Sequence, residues 1–107
     1  MEKIYKKLVR DKIPRICEKT GETPKYFVLS QNRFKAELKN KLLEEANELA
    51  KARPDEIKNE IADVYEVLLN LAKTAKIPWS QVEKFRIIKN QKRGSFKKRY
   101  FLVSTKK

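Results

Sequence analysis

The feature that most constrains this chain is a pair of acidic clusters, Glu44-Glu45-x-x-Glu48 and Glu60-x-x-Asp63, set into apolar repeats on either side of Pro54. At about 100° per residue, Leu38, Leu42, Ala46 and Leu49 fall on one side of the first repeat. Glu45 lies inside that apolar arc, beside Leu38 and Phe34. Glu48 lies about 60° further out, on a shoulder shared with Lys41, and Glu44 points nearly the opposite way. In the second repeat Ile57, Ile61, Val64, Leu68, Leu71 and Ala75 form the main apolar stripe. Glu60 and Asp63 take the same two places relative to it. Each helix therefore offers one carboxylate within its apolar arc and a second on the shoulder.

The remaining punctuation sets the elements. Ser30 caps a helix over about 31–52, and Pro54 interrupts it. A second helix runs over about 55–75, and the short break makes the two antiparallel neighbours. Upstream, Asp11 is positioned to cap a short helix with Pro14 in its first turn and Gly21 just past its end. Ser80-x-x-Glu83 has the form of a capping box opening a third longer helix over about 80–92. Residues 26–29 read as a strand or an extended arm. Tyr100-Phe101-Leu102-Val103 reads as a strand that could pair with them. The fold class is all-α: a single domain over 1–107, an antiparallel helical hairpin that completes a four-helix-type bundle on oligomerisation, with short extended segments at both ends. Besides its main stripe the second helix carries Ala62, Tyr65, Leu69 and Ala72. This belt is too wide for one partner helix and points to a homodimer or homotetramer.

Four carboxylates converging in a half-buried place raise one another's pKa values and need compensation. A divalent cation supplies it, and all-oxygen ligation suits Mg²⁺, with Mn²⁺ as a substitute, rather than zinc. Solvated helix faces account well for Glu44, Glu56 and Glu66. They account poorly for Glu45 and Glu60, which stand where leucines belong.

Composition closes off other chemistry. There is no histidine, which excludes histidine catalysis and ligation, and the lone Cys17 excludes an internal disulfide or a cysteine cluster. Cys17, near Ile13 and Ile16, reads as a packing residue. No run is apolar enough for a membrane span and no leader pattern opens the chain, so a soluble cytoplasmic protein is expected. The formal charge of +13 favours an anionic partner. A nucleotide is preferred, and a small basic nucleic-acid-binding protein is the main alternative. A metal-free helical interaction module is a third.

At three places, in order, the chain resembles one family. Glu44-Glu45-x-x-Glu48 followed by Glu60-x-x-Asp63 resembles the EExxE…ExxD signature of the all-α, MazG-like nucleoside triphosphate pyrophosphohydrolases. The opening Leu8-Val9-Arg10-Asp11-Lys12-Ile13-Pro14 is similar to the LVRDKIP start of their phosphoribosyl-ATP pyrophosphohydrolase-like branch. Lys92-Arg93-Gly94-Ser95-Phe96 with Lys98-Arg99 and Phe101-Leu102 looks like that branch's ending. Ser95 stands where the branch often has a second glycine, and Arg15 where an acid is common. The resemblance implies hydrolysis of a nucleoside triphosphate to monophosphate and pyrophosphate. By motif position Glu45, Glu48, Glu60 and Asp63 would hold Mg²⁺, and Glu45 is the first choice of proton acceptor. Arg10, Lys12, Lys41, Lys89 and Arg93 are the candidate phosphate-binding cations, with Lys41 foremost. Phe34 or Tyr65 is the candidate for holding the base.

Overall fold

Ser30 shows how closely local sequence chemistry sets the first long helix. Its hydroxyl accepts the Arg33 backbone N–H at 3.2 Å, and helix α2 follows as Gln31–Lys51. The computed structural model describes residues 1–107 and is all-helical, with no strand. Helix α1 is Ile13–Lys19, α3 is Ile57–Thr74 and α4 is Trp79–Arg93. Proline geometry stops α2: Arg53, held extended before Pro54, cannot continue it. Pro54–Glu56 then forms one 3₁₀ turn, and the Glu56 carboxylate accepts the Arg53 backbone N–H at 3.0 Å. Asp55 and Glu56, expected inside the second helix, therefore belong to this tighter entry turn.

Three local expectations are corrected. Asp11 does not cap α1. Lys12 holds that position without a side-chain bond, and the Ile13 N–H is already satisfied by the Arg10 carbonyl at 3.1 Å in a preceding turn. The Ser80–Glu83 capping box does not form either. Pro78 enters extended, α4 starts one residue early at Trp79, and the Glu83 carboxylate is taken by the Arg86 guanidinium. Neither residues 26–29 nor residues 100–103 form a strand: both lie outside the helices, with Phe27 and Val28 exposed at one place and Tyr100 to Val103 at the other. Side chains left open to water give neither segment the packed apolar face that stabilises a strand. Gly21, at φ 87°, does close α1 as the sequence implies.

The chain forms two compact units, Met1–Lys76 and Ile77–Lys107. In the first, α2 packs on α3. The face of α3 turned to α2 differs from the expected one. Ile57, Ile61 and Leu68, placed on the main stripe by periodicity, are exposed, whereas Val67 is buried at 7%. The physical reason lies in the breadth of the apolar belt. With apolar residues on more than one side, α3 can present the face that also carries Asp63, and it does. Leu38 of α2, at 3% exposure, is the only other buried side chain in the protein. Full burial of two such groups stabilises by roughly 3–6 kcal/mol. That offsets the backbone ordering of only a few residues at about 1–2 kcal/mol each.

Candidate metal centre and adjoining cavity

The packing of α2 on α3 brings Glu45, Glu60 and Asp63 together. One oxygen from each lies within 4.8 Å of the others, and all three residues are half-buried. The convergence follows from the periodicity. Glu45 sits inside the apolar arc of α2, next to the buried Leu38 row, while Glu60 and Asp63 are one turn apart on α3. The Glu60 carboxyl is pushed above the usual carboxylate range. Partial desolvation is the first cause, followed by the charges of Asp63, Glu45, Glu48 and Glu56. Glu48 is exposed and stands outside the trio, yet it is near enough for its charge to act on Glu60.

Basic side chains are already placed around these acids. The Arg10 guanidinium donates to Asp63 Oδ1 at 2.8 Å. Lys41 Nζ lies 3.5 Å from Glu45 and 3.3 Å from Glu44. Lys7 reaches Glu44 at 3.3 Å from the N-terminal segment. Glu44, expected to point to water, is instead held between two lysines. Partial desolvation raises its pKa, but the hydrogen bonds and charges of Lys41 and Lys7 outweigh that and leave it below the usual value.

Beside the trio lies a cavity of about 230 Å³. Residues 8–11 form one wall, Phe34, Leu38, Lys41 and Glu45 of α2 another, and Asp63, Glu66, Val67 and Asn70 of α3 a third. Among the cations named from the sequence, Arg10 and Lys41 line this cavity. Lys12 is exposed at the start of α1. Lys89 and Arg93 belong to the unit Ile77–Lys107, where Lys89 edges an apolar groove formed by Ile77 and by Val82 and Phe85 of α4. Phe34 lines the cavity, whereas Tyr65 is absent from its walls and 48% exposed.

Sequence reasoning missed Glu66 and Asn70. Glu66 fits a solvated helix face and Asn70 carries no motif. The available signal was spacing: Asn70 follows Asp63 by two near-complete turns and so shares its face.

The donor set fits a hard divalent cation. Carboxylate oxygens are the ligands Mg²⁺ and Mn²⁺ prefer, and Mg²⁺ keeps several waters while taking only one or two protein carboxylates directly. No helix in the protein is long and apolar enough to cross a membrane. No protein-family model matches this chain, and comparison with curated proteins and with solved structures likewise finds no match.

Proposed function

We propose that the chain is a Mg²⁺-dependent nucleoside triphosphate pyrophosphohydrolase of the MazG-like kind. It would cleave the α–β phosphoanhydride of a nucleotide, standard or damaged, to release a monophosphate and pyrophosphate. The observation that carries this reading is the half-buried trio Glu45, Glu60 and Asp63 drawn from two helices, where partial desolvation first, and then the neighbouring acids, raise the Glu60 pKa. The motif resemblance in the LVRDKIP opening, the two acidic clusters and the KRGSF ending supplies the reaction class.

In this reading Glu45, Glu60 and Asp63, with Glu48 turned inward to join them, would share one or more ions among the four carboxylates. An ion held there would supply charge neutralisation for the triphosphate and a more acidic water. Glu45 would accept that water's proton as the water oxygen bonds to phosphorus, the α–β bond breaks and pyrophosphate leaves. Arg10 and Lys41, already beside the acids, move to phosphate oxygens, for which Arg offers a two-pronged donor set and Lys a point charge. The α2–α3 pair acts as an antiparallel hairpin. A second copy covers the α3 face that leaves Ile57, Ile61 and Leu68 exposed, giving a four-helix bundle.

The test is a panel of ribo-, deoxy- and oxidised nucleoside triphosphates with Mg²⁺, products separated by chromatography, with Glu60→Gln as control. Monophosphate and pyrophosphate that disappear in the control are expected. Absence of both turnover and metal binding would overturn the reading.

A second reading, a basic nucleic-acid-binding module, is favoured by one observation. The segment Ile77–Lys107 carries ten cations against Glu83 alone, a formal +9, interleaved with exposed Phe85, Phe96, Tyr100 and Phe101. Binding to single strands that falls steeply with salt is its signature.

A further inference from the structure

We propose that the cavity walled by Phe34, Val67 and residues 8–11 is a nucleobase subsite, and that its Glu66–Asn70 end selects bases presenting adjacent N–H donors, guanine-type bases first. The inference rests on the pyrophosphohydrolase reading for the identity of the phosphate end.

The dimensions decide what the cavity can hold. Its volume of about 230 Å³ is below the roughly 300–1,000 Å³ of sites that enclose a whole drug-sized ligand. It accommodates one planar ring system and leaves the triphosphate outside. Its lining carries two polar groups of different chemistry: Asp63, Glu45, Arg10 and Lys41, tied by ion pairs, and Asn70 with Glu66, tied by hydrogen bonds. Asp63 and Asn70 lie on one face of α3, seven residues or about 10 Å apart. That is on the scale of the reach from an α-phosphate to the far edge of its own base. The walls between them are apolar (Leu8, Val9, Leu38 and Val67) with the ring of Phe34 available for stacking.

Hydrogen bonding at the far end fixes the selectivity. Asn70 Nδ2 lies 2.9 Å from the Glu66 backbone carbonyl and 2.9 Å from Glu66 Oε2. A carbonyl only accepts, so the atom facing it is the amide nitrogen, and both of its hydrogens are used. Asn70 Oδ1 and the Glu66 carboxylate remain, and all of these are acceptors. An acceptor-only end fits an edge made of donors. Guanine offers an imino and an amino N–H side by side. Adenine and cytosine offer one amino group next to an acceptor. Uracil and thymine offer one imino N–H between two carbonyls, which face the carboxylate unfavourably.

The experiment measures kcat/KM for GTP, ATP, CTP and UTP, and calorimetric binding of the corresponding monophosphates, on the full chain with Mg²⁺. The wild type is expected to prefer the guanine nucleotide over the uracil nucleotide by about 5- to 150-fold, the range of one good bidentate contact. Glu66→Gln and Asn70→Ala are each expected to flatten that ratio while Mg²⁺ affinity, read by calorimetry, is retained. Retained Mg²⁺ affinity also shows that the variants fold. A flat wild-type ratio, or a preference for uracil, with Mg²⁺-dependent pyrophosphate release intact, overturns the subsite and leaves the enzyme reading standing. A guanine preference unmoved by both variants also overturns it. Absence of nucleotide binding and turnover overturns the subsite, and absence of Mg²⁺ binding as well overturns the enzyme reading with it.

Discussion

The two units of this chain use charge in opposite ways. Met1–Lys76 holds thirteen of the fourteen acids and seventeen of the cations, and it pairs them: Arg10 with Asp63, Lys41 with Glu44 and Glu45, Lys7 with Glu44. Ile77–Lys107 holds ten cations and Glu83, whose carboxylate is taken up within α4 by Arg86. Fixed geometry therefore belongs to the first unit, where opposite charges and apolar walls meet around one cavity. The second offers net positive charge and exposed aromatic rings, which fit an anionic partner without specifying one. The comparison teaches that the charge of +13 is no property of the candidate site, which is acidic at its centre. Most of the excess resides in the segment after Lys76.

The sharpest way to break this contrast is to remove charge from the acidic centre. Losing a group that merely orients a metal ligand typically costs about 10- to 100-fold in metal affinity. Losing a ligand is expected to cost at least the upper figure. Glu45→Gln and Glu60→Gln should each abolish the thermal stabilisation given by Mg²⁺, which for the wild type at a hundred times Kd is about 2.7 kcal/mol. Glu60 adds a pH signature. Its pKa in the folded protein is raised above the ordinary 4.5, so its contribution to stability is full below 4.5 and is lost as the pH rises through the raised value. Metal-free Glu60→Gln should accordingly melt above the metal-free wild type at neutral pH, with the gap closing on acidification. Calorimetric melts across pH check both statements. Retained Mg²⁺ stabilisation in Glu60→Gln would remove the metal reading.

The apolar side of the comparison is next in size. Two buried side chains do not account for an ordered chain of this length, and Ile57, Ile61 and Leu68 lie open on α3. If these faces cover one another in the proposed homo-oligomer, Ile61→Glu is expected to lower the molar mass read by light scattering at micromolar concentration. A wild type already monomeric there would show that these faces wait for a different partner.

The helices and the acidic trio were legible in the sequence because each rests on a local rule. Ser30 is a side-chain cap, Pro54 a stereochemical stop, and Glu45 and Glu60 are charges at apolar positions. What was not legible depends on competition between groups. Nothing in Ser80-x-x-Glu83 shows that Arg86, one turn on, will take the glutamate. Nor does periodicity choose among the faces of α3, since a helix apolar on several sides leaves the choice to packing, which buried Val67 and exposed Ile61. That Glu66 and Asn70 line a cavity depends on where α2 and residues 8–11 pack, which no local pattern shows.

A smaller effect is expected at Arg10. Its pair with Asp63 has the guanidinium side chain 60% exposed and the carboxylate 29% exposed. Pairs of this kind are worth about 0.2–1 kcal/mol. A cation entering the trio must compete with that pair. Arg10→Ala should therefore raise Mg²⁺ affinity, by at most about fivefold, while raising KM for the nucleotide, because the same guanidinium is proposed to hold phosphate. A parallel loss of both affinities would mean that Arg10 only shapes the strap of residues 8–11.

The smallest expected effect lies at the end of the first unit. Lys76 follows the last turn of α3 with φ 58°, in the left-handed region where a Cβ is strained. Its backbone N–H still bonds the Lys73 carbonyl at 3.0 Å, so the conformation serves to close the helix. Glycine would adopt it without steric cost but would lose more freedom on folding. The two terms oppose, and Lys76→Gly should stabilise by no more than about 1 kcal/mol. Because the site lies elsewhere in the unit, Mg²⁺ affinity should not change. A shift in that affinity would show that the geometry at the end of α3 reaches the carboxylates within the first unit.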